Sequence, residues 1–380
     1  MHDFLIREII TSDITGELLS TGFDSSYAPK AAGKYLYKNL KIYNLSPAQA
    51  NILKQTALSA GADCAAHREV ITGKIEYSNC ILGGSLAQFK VIAAKLQSQP
   101  FGLKFLAQKL LDLSDFSHHS SGTKIVGILN ITKDSFSDGG RYYDYEASVE
   151  HLNKLITAGA DIIDIGAEST KPYSNGVSSD EQLDKLLPVL KYIESHNINI
   201  PISIDTRSSI VAEECIKCGA SIINDVSGLD FDSNMADVIA KYPETKVIIQ
   251  HSKGTPENMQ ISPQYDDLME EIFIQLYNKV EFAQNKGIRK DNIIIDPGIG
   301  FGKLKRHNIE IINRWKELKS IGCPVMIGLS RKSLLECKDA TNEEKDIYTL
   351  ALNSILINSG IDFIRVHNPA LHKKFMSILG

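Results

Sequence analysis

The chain has 380 residues, of which 43% are hydrophobic and 23% charged, and its formal net charge at pH 7 is −5. This is the composition of an ordinary globular protein with a large core, and the length suggests two domains or one large domain with an extension. The modest negative charge gives no reason to expect nucleic acid or an anionic membrane as partner, and no apolar run is long enough to span a bilayer. The first residues lack the cationic start and long apolar core of a signal peptide, so we expect a cytoplasmic protein.

The six cysteines indicate reduced thiols rather than a disulfide framework, because the chain is long. Cys215 and Cys218 form a C-x-x-C pair, but they fall in a predicted helix without a second pair. Cys64, His67 and Cys80 match no spacing of a zinc site. We therefore expect these side chains to be packing residues.

Residues 1–113 predict a small α/β domain, although residues 1 to about 30 carry weak signals. A strand at 41–45 precedes a helix that Ser46 caps and Pro47 begins. Further elements are predicted as a strand pair at 69–72 and 78–82 and as helices at 85–96 and 102–113. No catalytic set of residues is visible, so a structural or assembly role is the expectation, and a second activity in a fused enzyme is the alternative.

Residues 114–123 are small and polar and predict a linker, after which apolar strands alternate regularly with helical patterns. Eight strand-then-helix units fit a (β/α)₈ barrel over residues 124–380. A doubly wound open sheet is the alternative, because periodicity alone cannot close a barrel. The predicted strands are 124–132, 161–167, 202–206, 221–226, 246–251, 292–298, 324–330 and 362–367, and the clearer helices are 147–157, 181–195, 208–217, 265–285, 308–318 and 344–358.

One strand end, residues 292–303, combines a buried β-branched run with Asp296, Pro297 and three glycines. A carboxylate there is costly to bury unless it meets donors, which favours a pocket. The loop is neither a phosphate-binding P-loop, since Leu304 follows Lys303, nor a dinucleotide fingerprint, since the glycine spacing differs.

Polar residues follow every predicted strand, and the carboxyl ends of barrel strands are where catalytic groups collect. Any one of them could be a turn residue or a helix cap, but all eight together predict a site. They are Asn130, residues 168–170, Asp205, Asn224, residues 250–251, Asp296, residues 330–332 and residues 365–367.

The chemistry of these strand ends divides into acceptors and cations. Asp205, Asn224 and Asp296 suit a flat heterocycle rich in N–H groups. Lys332, Arg365 and His367 form a predicted cationic cluster for a phosphate or pyrophosphate, and Asn130 could supply an oxygen to Mg²⁺. Paired carboxylates could instead hydrolyse a sugar, but that interpretation leaves the cations unexplained. Displacement of pyrophosphate at a carbon attached to a ring is therefore favoured.

Two long polar loops follow the first two strands, residues 130–140 and 169–176. Phe136 is the lone aromatic residue of the first loop. We expect it to act in a lid, with packing under its own loop as the alternative.

At this point the chain resembles the dihydropteroate synthases, the folate-pathway enzymes that sulfonamides inhibit. The resemblance covers residues 124 to about 368. Its motifs are Gly-Ile-Leu-Asn-Ile-Thr-x-Asp-Ser-Phe-Ser-Asp-Gly-Gly, Asp-Ile-Gly-Ala-Glu-Ser-Thr-x-Pro, Ile-Asp-Thr, Ile-Asn-Asp-Val-Ser-Gly, Asp-Pro-Gly-Ile-Gly-Phe-Gly-Lys, Ser-Arg-Lys-Ser and Arg-Val-His.

The resemblance implies that 6-hydroxymethyl-7,8-dihydropterin pyrophosphate and p-aminobenzoate are joined, with Mg²⁺, to give 7,8-dihydropteroate and pyrophosphate. It also implies a homodimer, and sulfonamides as inhibitors. The implied roles are pterin binding by Asp205, Asn224, Asp296, Lys332 and Arg365; pyrophosphate and Mg²⁺ binding by Asn130, Arg365 and His367; ordering of the closed site by Asp134; and p-aminobenzoate binding by Phe136, Thr170, Lys171, Pro172 and Ser330.

Three positions depart from the family pattern. Lys133 replaces a usual Pro, Lys171 a usual Arg, and Asn368 a usual Asp. None of these three substitutions removes a side chain assigned to the pterin or the pyrophosphate. We therefore expect them to affect substrate affinity more than reaction type. The alternatives are a pterin-dependent methyltransferase, which has no need of the Asn130 loop or of Arg365 and His367, and a non-catalytic homologue.

Overall fold

A computed structural model describes residues 7, 9, 11, 13–114, 122–131, 140–168, 177–253, 263–332 and 339–379. The chain divides into two compact units, Met1–His118 and His119–Gly380. No described helix joins the length and the apolar character that a membrane crossing requires.

The first unit is a three-stranded antiparallel sheet in the order β1-β3-β2, with helices. Helix α3 begins at a capping box, in which Ser46 and Gln49 each accept a hydrogen bond from the other's backbone N–H. The core of the first unit is made of that unit's own residues, and Leu53, Leu82 and Phe89 are fully buried in it. The strands are β1 Tyr37–Leu45, β2 Asp63–Ala66 and β3 Ser78–Ser85, and the helices are α1 Ile14–Ser20, α2 Ala28–Ala31, α3 Pro47–Ser59, α4 Leu86–Leu96 and α5 Leu103–Ser114.

One predicted strand of this unit is wrong. Residues 69–72 fall in and after a short 3₁₀ helix, Arg68–Val70, and the strand that pairs with β3 is β2. The ring of His67 caps this helix by accepting the backbone N–H of Glu69 at 3.2 Å. The run of β-branched residues favoured a strand, but a local cap and turn determined the backbone.

The second unit is a closed barrel of eight parallel strands. Strand β11 pairs with both β10 and β4, and a bridge from Ile295 to Val325 joins β9 to β10. The (β/α)₈ prediction is therefore confirmed over the open-sheet alternative. The strands are β4 Lys124–Asn130, β5 Ile162–Gly166, β6 Ile202–Asp205, β7 Ile222–Asp225, β8 Lys246–Gln250, β9 Ile293–Asp296, β10 Met326–Ile327 and β11 Phe363–Val366.

A helix follows each barrel strand. Ser178 and Ser208 cap α7 and α8, as side-chain acceptors at helix starts do. The glycines at 159, 219 and 360, which follow the ends of α6, α8 and α12, all have positive φ and can end a helix in the left-handed conformation. The helices are α6 Gly140–Thr157, α7 Ser179–Ser195, α8 Ser209–Lys217, α9 Met235–Ala240, α10 Leu268–Asn285, α11 Lys305–Arg314, α12 Asn342–Asn358 and α13 Pro369–Leu379, with a 3₁₀ helix, Trp315–Ile321, after α11.

Strand alternation places the polar residues inside the barrel. An apolar cluster of Val126, Ile162, Ile222, Ile248, Ile294, Met326 and Phe363 contains one residue from each of seven strands. Side chains two positions further along a strand point to the same side. Asp164, Asn224, Asp296 and Arg365 therefore lie one layer above this cluster, toward the carboxyl ends of the strands.

Candidate active site

Asp164, in the middle of β5, connects three other strands of the barrel. It is fully buried and accepts hydrogen bonds from Ser203 Oγ at 2.5 Å, Asn224 Nδ2 at 3.1 Å and Arg365 Nε at 2.6 Å. The Nη2 group of the same guanidinium donates to Asp205 Oδ2 at 2.8 Å. One guanidinium thus bridges two buried carboxylates, which fixes its fork and compensates both charges.

Asn224 offers an acceptor to a ligand in this layer, and Asp205 beside it has a raised pKa. Asn224 turns its amide nitrogen toward Asp164, so its Oδ1 is buried without a partner among the described residues. A buried acceptor without a donor is unusual in a native protein, and a ligand with an N–H group would satisfy it. Burial and, to a smaller extent, the neighbouring Asp164 raise the pKa of Asp205 to about 7 against the opposing effect of Arg365.

Asp296 ends β9, just before the glycine loop of residues 298–302, and lies near the Lys332 cation. Its Oδ1 accepts the Gly298 N–H at 2.7 Å, and burial raises its pKa although the Lys332 cation opposes this. Lys332 Nζ donates to the Ile299 carbonyl at 2.7 Å and lies 4.8 Å from the centre of the Phe301 ring. Burial lowers the pKa of Lys332 to about 8, so its charge is lost just above neutral pH.

Ser330 and His367 form a pair at the ends of the neighbouring strands. The Ser330 oxygen accepts the backbone N–H of His367 at 3.1 Å and lies 2.9 Å from its Nδ1. Burial, with Arg331 and Arg365 nearby, lowers the pKa of His367 to about 3. The sequence predicted His367 as a cation beside Lys332 and Arg365, and this is corrected. At neutral pH the His367 ring is uncharged and can act only as a hydrogen-bonding group.

Asn130 is exposed at the end of β4, opposite Gly166 of β5. Among the described residues, no three His, Cys, Asp or Glu side chains gather in a way that could hold a metal ion. A single exposed amide oxygen fits an Mg²⁺ that keeps its waters and is held mainly by substrate phosphates.

An ion pair outside this layer contains Glu168, the residue that precedes the second loop in the sequence. Arg207 donates to Glu168 at 2.6 Å, and its guanidinium stacks 4.3 Å from the centre of the Phe231 ring. Both side chains line a cavity of about 420 Å³ together with the capping serines Ser178 and Ser208. This cavity is bordered by residues that follow β5, β6 and β7, whereas the acceptor layer lies inside the barrel.

Comparison with known proteins agrees with this geometry. The model of the family "Pterin binding enzyme" matches residues 126–367. The dihydropteroate synthase of Clostridium beijerinckii is 40% identical over 248 residues, which are 65% of this chain and 89% of that protein. The chain belongs to the dihydropteroate synthase family.

Solved dihydropteroate synthases share the barrel. The enzyme of Yersinia pestis, in complex with a sulfonamide drug, is 35% identical, with a TM-score of 0.64 over 68% of this chain and 94% of that one. The enzyme of Xanthomonas albilineans, in complex with 7,8-dihydropteroate, is 30% identical, with a TM-score of 0.61 over 68% of this chain and 93% of that one.

A longer relative also matches outside the barrel. A probable bifunctional folylpolyglutamate synthase/dihydropteroate synthase of Haloferax volcanii is 34% identical over 343 residues. The match covers 84% of this chain, more than the barrel alone can supply, but only 40% of that relative. This chain thus spans about two fifths of the length of the bifunctional protein.

Only some of the residues predicted from the dihydropteroate synthase motifs lie within the described part of the chain. Asn130, Asp205, Asn224, Asp296, Ser330, Lys332, Arg365 and His367 all lie at the carboxyl ends of the strands. Lys133, Asp134, Phe136, Thr170, Lys171 and Pro172 lie outside the described residues. Asn368 donates to Asp346 at 3.3 Å and caps the start of α13 through Leu371.

Sequence reasoning missed Asp164, Ser203 and Phe301. Asp164 is the first residue of a quoted family motif and interrupts the run Ile162-Ile163-Asp164-Ile165. Counting two positions from Ile162 identifies it as an inward-facing charge, so the signal was present. The contact of Phe301 with Lys332 depends on the fold of the glycine loop and has no such signal.

Proposed function

We propose that the protein is a dihydropteroate synthase, which condenses 6-hydroxymethyl-7,8-dihydropterin pyrophosphate with p-aminobenzoate. The observation that carries the proposal is the buried layer of acceptors formed by Asp164, Asp205, Asn224 and Asp296, with Asn224 Oδ1 unpartnered. Such a layer suits a flat ring with several N–H donors. The family membership of this chain and the dihydropteroate bound to the Xanthomonas relative support the same proposed function.

In this proposal Asp205, Asn224 and Asp296 accept hydrogen bonds from the pterin ring. Asp164 does not need to touch the ring, because it holds Asn224 and Arg365 in place. Lys332 and Arg365 lie beside the ring and complete its polar edge. The preorganised acceptors lower the entropy cost of binding, because they are already fixed by one another.

The leaving pyrophosphate is bound by Arg365, His367 and Asn130. Arg365 supplies charge, whereas the neutral His367 ring supplies a directional N–H. Mg²⁺, held by Asn130 and by oxygens of the pyrophosphate, would neutralise charge on the leaving group when bound. These groups stabilise the charge that develops as the bond to the leaving group breaks.

Bond breaking precedes bond making in the proposed reaction. The C–O bond to pyrophosphate breaks first, and the pterin carries the resulting positive charge. The aniline nitrogen of p-aminobenzoate then forms the new C–N bond and releases a proton. Phe136, Thr170, Lys171, Pro172 and Ser330 frame the p-aminobenzoate, and Asp134 helps to order the closed site, which must exclude water.

The proposal extends to partners and location. We expect a homodimer in solution, which light scattering after size exclusion would measure. Sulfonamides are expected to compete with p-aminobenzoate, as p-aminobenzoate analogues. We expect the protein to act in the cytoplasm.

Asp205→Asn tests the pterin site directly. Loss of a charge-assisted hydrogen bond costs about 1.5–3 kcal/mol, so calorimetry should report pterin pyrophosphate binding weakened roughly ten- to a hundredfold. Asp266→Asn changes an exposed carboxylate outside this layer and serves as the control. Equal affinity in Asp205→Asn and the wild type would contradict the assignment.

A further inference from the structure

Lys303 is buried and is not used by the proposed mechanism. Its side-chain nitrogen lies 2.9 Å from His251 Nδ1, 2.9 Å from the Phe301 carbonyl and 3.4 Å from the His251 carbonyl. His251 is also fully buried, and its Nε2 has no partner among the described residues. Among the described residues, no carboxylate forms a hydrogen bond or an ion pair with either side chain.

Counting protons favours an uncharged pair. A neutral lysine amine donates to the two carbonyls and accepts the Nδ1–H of His251, which satisfies every donor. A charged amine would instead force the ring proton onto Nε2, where a buried N–H would lack an acceptor. Burial also lowers the pKa of Lys303 well below its ordinary value.

The bonds of Lys303 belong to a set that fixes the glycine loop, residues 298–302. The Phe301 carbonyl accepts from Lys303, the Gly302 carbonyl from Tyr265 at 2.8 Å, and the Gly298 carbonyl from the Phe301 N–H at 3.1 Å. The loop packs directly on the backbone after β8, since a Cβ at Gly298 would overlap the His251 carbonyl oxygen. The loop therefore has little freedom to move.

This loop in turn holds Lys332. The Ile299 carbonyl accepts from its Nζ at 2.7 Å, and the Phe301 ring lies 4.8 Å from it. We propose that Lys303, with His251, is a positioning residue that sets where the Lys332 amine meets the substrates. The inference rests on the proposed function and adds a residue to it.

The charges around both amines are known. Asp296 raises the pKa of Lys303 and of Lys332, against the effect of burial. Arg365 lowers and Asp205 raises the pKa of Lys332, and Lys253 lowers the pKa of Lys303. Loosening the loop lets water reach Lys332, which removes the cause of its lowered pKa. The pH dependence of the reaction thus reports on the position of Lys332.

The experiment compares Lys303→Met with the wild type in dihydropteroate formation across pH. We expect kcat/KM for the pterin pyrophosphate to fall about ten- to a hundredfold, the size expected for a displaced substrate contact. We also expect the basic limb of the profile, near pH 8 in the wild type, to move to higher pH. Lys305→Met, which changes an exposed lysine two residues away, should leave both unchanged.

Each outcome is decisive. An unshifted basic limb in Lys303→Met, with only thermal stability reduced, would overturn the positioning role. If Lys303→Met does not fold, Tyr265→Phe removes another bond to the same loop and should move the limb in the same direction; an unchanged limb would again contradict the inference. A wild type that forms no dihydropteroate would refute the proposed function itself, and this inference with it.

Discussion

At the scale of single residues, the candidate site depends on how Asp164 orients its neighbours. Asp164→Asn keeps the shape but removes the charge that pairs with Arg365 and lets the Asn224 amide turn around. We expect pterin binding to weaken by about 1.5–3 kcal/mol, measured by calorimetry. Asp161 lies just before the same strand and accepts hydrogen bonds from the Ile125 N–H and from Lys373, so Asp161→Asn should affect stability but not pterin affinity.

Pterin affinity should also depend on pH through Asp205. Its pKa is raised to about 7, so its carboxylate gains a proton as the pH falls through that value and loses part of its strength as an acceptor. We therefore expect the contribution of Asp205 to affinity to decline as the pH falls through about 7. His367, with a pKa of about 3, stays neutral throughout this window and adds nothing. A titration series from pH 5.5 to 8 tests this, and Asp205→Asn should lose the dependence.

Single residues show what the sequence could and could not predict. Asp205, Asn224, Asp296 and Arg365 were predictable, because each ends an apolar strand and parallel strands end together. The loss of charge on His367 was not, because it follows from burial and from two neighbouring arginines that only the fold brings close. The bond between Ser330 and His367 was likewise invisible, since 37 residues separate them.

At the scale of elements, the loop after β9 combines positive φ with close packing. Gly298 has φ +67°, and a Cβ there would overlap the His251 carbonyl oxygen. Gly360 has φ +80° with open space around it, which makes it a matched control. Gly360→Ala should cost roughly 1–2 kcal/mol, whereas Gly298→Ala should cost at least about 3 kcal/mol. Urea unfolding measures both, and equal losses would show that close packing is unimportant.

The elements themselves were largely predictable in the barrel and less so before it. Buried parallel strands are continuous apolar runs, and their alternation with capped helices is a strong signal. Residues 69–72 were mistaken for a strand because Val70, Ile71 and Thr72 are β-branched. The 3₁₀ helix Arg68–Val70 at this point is capped by a histidine, which is an uncommon capping residue. Helix α1 was missed because it is short and its only buried residue is Leu18.

At the scale of the whole molecule, two units with separate cores make up the chain. Among the described residues, the main core of the first unit lies between Leu40 and Leu111, a smaller cluster contains Leu18, Ala28 and Ala31, and the barrel core begins at Ile125. The candidate site lies in the barrel, so the central claim concerns what that unit catalyses. The match with the longer Haloferax relative extends beyond the barrel into part of the first unit.

The most direct test of this claim is pyrophosphate release by the whole protein, supplied with the pterin pyrophosphate and Mg²⁺, with and without p-aminobenzoate. A dihydropteroate synthase releases pyrophosphate together with dihydropteroate, and formation of the latter requires p-aminobenzoate. Binding of the pterin without turnover would contradict the account and favour a non-catalytic homologue. Absence of pterin binding would contradict the assignment of the acceptor layer itself.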